Sequence, residues 1–335
     1  MVQNGQPQLP IGTKRLCIFD TNAYRELTIG KSLAEATAIA LRIRELELGA
    51  TTRAAANPFV IWELIGHLDN PTDPAYQHCL NALVALSEHT WSLHDPPGGL
   101  CLTADAESTV CDALFQAAPL VAWRNVQNLS LLAAHVKQHA PSLTDPAAVN
   151  NIRVFAAAMR KKETEWLRDL RALLDGCDPK LAHAWIGGRS DKETRRKLRD
   201  YFGSQAFMDA WATIGVMRHA ELVGMTLTQK ELAKKGDVMR NVFAAPFRLT
   251  SVLLQKFPTA RQINLTSRKK KWGNYMWDAA ICYSIGRFHQ IDGASVFLVT
   301  GDRAIRDAAV AANCAGSVVP LSDYLKALGL GLPRP

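Results

Sequence analysis

The sequence predicts an α/β fold, a parallel sheet flanked by helices and interrupted by a mostly α-helical insert. Three observations carry this. Short apolar runs alternate with helical patterns near both ends of the 335-residue chain, the middle reads almost wholly as helix, and the excess positive charge is confined to that middle. Residues 95–270 hold 26 Lys/Arg and 17 Asp/Glu, a net of +9, against −1 for the two flanks together. One discontinuous domain is therefore expected from residues 1–94 and 271–335, with a basic helical insert at 95–270. The field of such an insert attracts a polyanion.

The first element is the run Leu16-Cys17-Ile18-Phe19, a buried strand stopped by Asp20-Thr21-Asn22. Ser32 and Glu35 have capping-box spacing and start a helix with Leu33, Ala36, Ala40, Ile43 and Leu46 on its apolar stripe. Residues 51–56 read as a second strand. Asn57-Pro58 is an N-cap followed by proline at the first helical position, which predicts a helix over about 59–68 that carries Glu63. Another helix is expected over 75–88, before the break at Asp95-Pro-Pro-Gly-Gly.

Within the insert, helices are predicted over 149–174 and 191–202, among others. The last part returns to alternation. A helix opens at Trp277-Asp278, Asp292-Gly293 turns, and residues 295–300 (SVFLVT) form a buried strand ending at Gly301-Asp302. A helix over 303–312, a short strand over 317–319 and a final helix capped by Ser322 complete the reading.

Composition excludes several classes. With 48% hydrophobic and 21% charged residues the chain is globular, not disordered. The seven cysteines (17, 79, 101, 111, 177, 282 and 314) are scattered, with no C-x-x-C pair, which argues against a zinc ribbon or a disulfide scaffold. No apolar stretch reaches the ~18 residues of a membrane span, and the polar N-terminal segment has no signal-like core. A cytoplasmic setting without membrane association is the expectation.

Four acids stand where this topology brings chain segments together. Asp20 and Asp302 each follow a strand, Glu63 lies on an early helix, and Asp278 is expected at the start of the helix before the Asp302 strand. Ligands of parallel sheets bind beyond the carboxyl ends of the strands. Carboxylates crowded there need a cation to stay ionised together, and oxygen-only donors favour Mg²⁺ or Mn²⁺ over zinc. Ions held this way suit phosphodiester hydrolysis. Asn22, two residues past Asp20, adds an amide oxygen or orients a water.

The ordered series Phe19-Asp20-Thr21-Asn22, Asn57-Pro58-Phe59-Val60-Ile61-Trp62-Glu63-Leu64, Asp278-Ala279-Ala280-Ile281 and Leu298-Val299-Thr300-Gly301-Asp302 resembles the motifs of PIN-domain ribonucleases. The resemblance spans the flanks, about 160 residues. It implies a PIN-like parallel sheet and Mg²⁺- or Mn²⁺-dependent cleavage of RNA, with Asp20, Glu63, Asp278 and Asp302 as catalytic and metal-holding residues and Thr300 as the hydroxyl of the last motif. Unlike compact members, this chain places about two hundred residues between Glu63 and Asp278.

The run Arg268-Lys269-Lys270-Lys271-Trp272 precedes Asp278 and combines phosphate-neutralising cations with an aromatic stacking face, so it is expected to bind substrate RNA. Arg195-Arg196-Lys197 is a second cationic stretch, diluted by nearby acids. His135 and His139 have zinc-compatible i,i+4 spacing but no evident third ligand. Asp307 is an additional ligand or a solvated helical residue. The resulting expectation is a metal-dependent endoribonuclease, of the kind used as a toxin or phage-defence effector and restrained by an inhibitory protein or by self-association. The alternatives are a structure-specific DNA nuclease and a non-catalytic PIN-like module that binds RNA or a protein partner.

Overall fold

The computed structural model describes residues 14–91, 99–117, 119–140, 143, 145–177, 191–256, 272–286, 290–291 and 293–331. Four parallel strands form its sheet: β1 (Arg15–Phe19), β2 (Thr52–Ala54), β4 (Ala294–Thr300) and β5 (Val318–Pro320), in the order β2-β1-β4-β5. A two-residue strand, β3 (Gln290–Ile291), pairs antiparallel with the start of β4, through a turn in which Gly293 takes φ +80°, a conformation that favours glycine. β3 is an element the sequence reading did not contain. β1 and β4 are central and buried almost throughout, as continuous apolar runs in a parallel sheet should be.

The flanking helices follow their caps. Asp20 caps α1 (Thr21–Thr28), and Ser32 and Glu35 complete the expected box on α2 (Leu33–Gly49). Asn57 caps α3 (Pro58–Gly66), with proline in its first turn, and α4 (Tyr76–His89) follows. Asp302 caps α13 (Arg303–Ala311), and α14 (Leu321–Ala327) closes the chain. Pro320 occupies the cap position of α14, and Ser322 lies inside the helix instead of capping it.

Between α4 and the second half of the sheet come α5 (Ala106–Phe115), α6 (Leu120–His139), α7 (Pro146–Cys177), α8 (Lys192–Phe202), α9 (Gln205–Leu222), α10 (Gln229–Val242), α11 (Ala244–Lys256) and α12 (Trp272–Ile281). Two apolar cores result. The larger takes in the sheet and α1–α4, together with Val126, Leu129 and Leu132 of α6, Ile152 of α7 and Leu249 and Leu253 of α11. The smaller joins Val110, Leu170, Leu198, Phe202, Phe207 and Met239. Helix α7, about 48 Å long at 1.5 Å per residue, runs from one core to the other, and Trp166 packs against both. Each fully buried large apolar side chain contributes about 1.5–3 kcal/mol before ordering costs. The six cysteines whose side chains are described are buried, and none of them is in a disulfide. Among the described residues no helix is long and apolar enough to cross a membrane.

Candidate active site

The parallel register of β1 and β4 runs from Arg15↔Ser295 to Phe19↔Val299, so Asp20 and Thr300 meet at the carboxyl edge of the sheet. The Asp20 N–H donates to the Val299 carbonyl at 3.1 Å, which extends the ladder to the acid itself. Asp20 is 2% exposed. Its Oδ1 accepts the Ala23 N–H at 2.6 Å as a helix cap, and its Oδ2 accepts a hydrogen bond from the Thr300 hydroxyl. That same hydroxyl oxygen accepts the Asp302 N–H at 2.8 Å, while Asp302 Oδ1 caps α13 through Ala304 at 2.5 Å. One threonine thus links the two acids that end neighbouring strands. Gly301 sits between them, and a Cβ there would come within 2.5 Å of Oε1 of the exposed Glu26 side chain, which would have to swing aside.

Glu63 is buried on α3, and its Oε2 accepts a 2.7 Å hydrogen bond from Thr21 Oγ1, the residue next to Asp20. Each of Glu63 and Asp278 follows a buried tryptophan. Trp62 and Trp277 lie 5.6 Å apart between ring centroids, and Phe59 lies 5.4 Å from Trp277. This aromatic contact clamps α3 to α12 and holds both acids on the same side. Asn57 strengthens the clamp, since its side chain caps α3 and donates to Ser284 Oγ at 2.7 Å in the turn after α12. Asp278 is half-buried in the last turns of α12 as its seventh residue, not at its N-terminus as expected. The helix begins earlier because residues 272–276 continue the same helical path.

The electrostatics follow from this crowding. Burial, with smaller repulsion from Glu63 and Asp302, pushes the Asp20 carboxyl up to about 7 against the opposing hydrogen bonds of Thr300 and Ala23. Burial likewise holds Asp278 well above the ordinary carboxylate range, with Glu63, Asp302 and Asp20 adding repulsion. Glu63 is raised by burial and by Glu163, opposed by the Thr21 bond. Asp20 and Asp278 therefore each feel the charges of Glu63 and Asp302. The oxygens of these four acids are not drawn to a point, however: among the described residues no three of them offer ligand atoms within 4.8 Å of one another.

Other predicted residues sort as follows. Asn22 is exposed on the first turn of α1, beside Asp20. Arg268, Lys269, Lys270 and Lys271 lie outside the described residues, and Trp272 is placed only as the first residue of α12. Arg195 and Arg196 are exposed on α8, and Lys197 pairs with Glu193 at 3.0 Å. Asp307 is exposed and faces Arg303 at 3.7 Å, which makes it a solvated helical residue. His135 faces Asp145 at 3.0 Å.

Two features escaped the sequence reading. Glu163 of α7 accepts the Trp277 indole N–H at 3.0 Å and brings an insert carboxylate against the site. No motif marks it, because it belongs to an ordinary charged helix. On another side of β1, Cys17, Glu47 and His89 form a buried set with ligand atoms within 4.8 Å of one another. Every one of these groups has a hydrogen-bond partner. Glu47 accepts from Cys17 Sγ at 3.2 Å and Tyr324 Oη at 2.6 Å, His89 Nε2 meets Glu47 at 2.8 Å, and Tyr24 Oη meets His89 Nδ1 at 3.0 Å. Burial and the Glu47 charge hold the Cys17 thiol well above its ordinary range, so it stays protonated in this network. It reads as a satisfied polar knot inside the core.

No family model matches the chain, and neither a curated protein nor a solved structure matches it.

Proposed function

We propose that this protein is a PIN-like, metal-dependent endoribonuclease whose centre is Asp20, Glu63, Asp278 and Asp302. The observation that carries the reading is the pairing of Asp20 and Asp302 at the carboxyl ends of adjacent parallel strands, with Glu63 close enough to raise the proton affinity of both Asp20 and Asp278. Carboxylates that repel one another at a buried edge form a good receptor for a small, hard cation. The donor set fits Mg²⁺ or Mn²⁺, since it is made of oxygen alone. Those four residues would hold the ion, which when bound supplies Lewis acidity toward a phosphate oxygen and a more acidic water.

The remaining roles belong to the chain's own groups. Thr300 orients Asp20 and the Asp302 backbone, and Thr21 orients Glu63. Asn22 is exposed beside the acids and offers its amide to the strand. Arg268, Lys269, Lys270 and Lys271 directly precede α12, which Trp272 begins, so the four cations are assigned to the RNA backbone and Trp272 to the same substrate from chain order. The basic middle of the chain supplies a field that favours RNA approach.

The test is cleavage of a mixed tRNA, rRNA and mRNA pool, with matched DNA strands in parallel, by wild type and Asp20→Asn in Mn²⁺ and in EDTA. RNA cleavage that needs both the metal and Asp20 supports the proposal. Cleavage of DNA alone would establish the DNA-nuclease alternative, and RNA binding without metal-stimulated cleavage would establish a binding module.

A further inference from the structure

Phe59 and Trp277 also line a partly open cavity of about 150 Å³. It is walled by α5, α7, α9 and α12, and the residues flanking Asp278, Trp277 and Ala279, form part of its lining. Its apolar walls are aromatic, with Trp166, Trp211 and Trp277. Trp166 and Trp211 meet edge to face, with centroids 6.1 Å apart and planes at 85°, so they present differently directed walls instead of filling the space between them.

The polar lining is unlike that of a phosphate site. Both cations are already held by carboxylates, Lys162 on Glu107 Oε1 at 2.7 Å and Arg218 on Asp169 at 2.7 Å. What the pair leaves over is the second oxygen of Glu107, an acceptor. His219 adds another. Its Nδ1 lies 2.6 Å from the Gly215 carbonyl and must donate to it, and burial lowers its proton affinity, so the neutral ring keeps Nε2 as an acceptor. The cavity therefore combines stacking faces with unspent acceptors. A space of this size admits an aromatic ring, as an apolar cavity of about 150 Å³ admits benzene, and its open side leaves room for the second ring of a purine.

We infer that this cavity binds a nucleobase carrying an exocyclic amine, which stacks against the tryptophans and donates its amine hydrogens to Glu107 and His219. Adenine and cytosine carry such an amine where uracil presents its O4 carbonyl, and guanine carries its amine at C2, where uracil presents its other carbonyl oxygen. Stacking between aromatic side chains with hydrogen bonds to the base edge is how proteins hold a base taken out of its stack. The source of the base is a substrate strand or a free nucleotide. The first source rests on the proposed nuclease activity, and on that source the cavity selects which nucleotide lies beside the acids.

The experiment is a tryptophan-fluorescence titration of the full chain in EDTA with CMP, AMP, GMP and UMP, then with short oligonucleotides that contain one amino-bearing base among uridines. The expected result is saturable quenching by the three amino-bearing nucleotides and binding of UMP weaker by about tenfold, the equivalent of 1.4 kcal/mol. Glu107→Gln replaces one acceptor oxygen by a donor amide and should reduce that selectivity to about twofold. Ile214→Trp, placed on the half-buried lining residue of α9, should fill the space and abolish quenching by every base.

Equal binding of UMP, absence of quenching, or selectivity unchanged in Glu107→Gln would overturn the inference. Tighter binding of the oligonucleotides than of the mononucleotides assigns the base to a strand, and equal or weaker binding assigns a free nucleotide. Selective binding without metal-dependent cleavage would remove the nuclease reading and leave the cavity standing. Cleavage without selective binding would remove only the cavity.

Discussion

The Thr300 hydroxyl, 0% exposed, donates to Asp20 and accepts the Asp302 backbone N–H, so a single oxygen couples the ends of β1 and β4. Thr300→Val keeps the shape and removes both bonds. A carboxylate and an N–H are then left without this partner in the interior, a change that costs about 1–3 kcal/mol. Chemical denaturation should show that loss, whereas Thr300→Ser, which retains the hydroxyl, should stay within about 1 kcal/mol of wild type.

Asp20 also sets a pH dependence. Its carboxyl rises from an ordinary 3.8 to about 7 in the metal-free fold. Between those values the folded chain binds a proton that the unfolded chain has released, so this group's contribution to stability is full below about 4 and is lost as pH rises through about 7. Melting in EDTA should show stability declining over that window, Asp20→Asn should flatten the decline, and Mn²⁺ at pH 7.5 should raise the melting temperature of wild type more than that of the variant. A wild-type melting temperature at pH 7.5 that does not respond to Mn²⁺ would contradict a metal centre.

Thr21 touches Glu63 but carries no charge of its own. Removing such a supporting partner weakens metal sites by about 10–100-fold. Thr21→Val should therefore raise the Mn²⁺ concentration needed for half-maximal cleavage by that factor, with activity recovering at saturating metal. Glu63→Gln should lose activity without such recovery.

The Cys17–Glu47–His89 knot gives a separate prediction. Glu47 is 0% exposed and accepts from Cys17 and Tyr324 while it meets His89, so Glu47→Ala strands three polar groups in the core and should destabilise the fold by about 3–5 kcal/mol. Tyr24→Phe removes only the outer bond to His89 and should cost about 1 kcal/mol. Elemental analysis of the purified protein should find no stoichiometric zinc. Zinc that is present and lost in Cys17→Ser would show that the knot is a metal site.

Much of this architecture was legible along the chain, because local rules decide it. The β1 and β4 runs, the Ser32–Glu35 box and the Asn57-Pro58 cap are near-neighbour effects, and each is where periodicity and capping chemistry put it. The cap expected at Ser322 and the helix start expected at Asp278 failed for a related reason. A polar residue near a helix end signals a cap only if the backbone turns there, and here Pro320 and residues 272–276 set the turn elsewhere.

The sequence alone determined the α/β alternation and the basic middle and marked out the four acids of the proposed site, since each depends on residue type, spacing or charge within one segment. Only the tertiary structure decided that Thr300 bridges Asp20 and Asp302, that Trp62 and Trp277 clamp Glu63 beside Asp278, that Glu163 reaches in from α7, and that a cavity opens against Trp277. Those relations join residues up to 280 positions apart. They arise from strand register and helix packing, which bring distant segments together without leaving a periodic mark in either one.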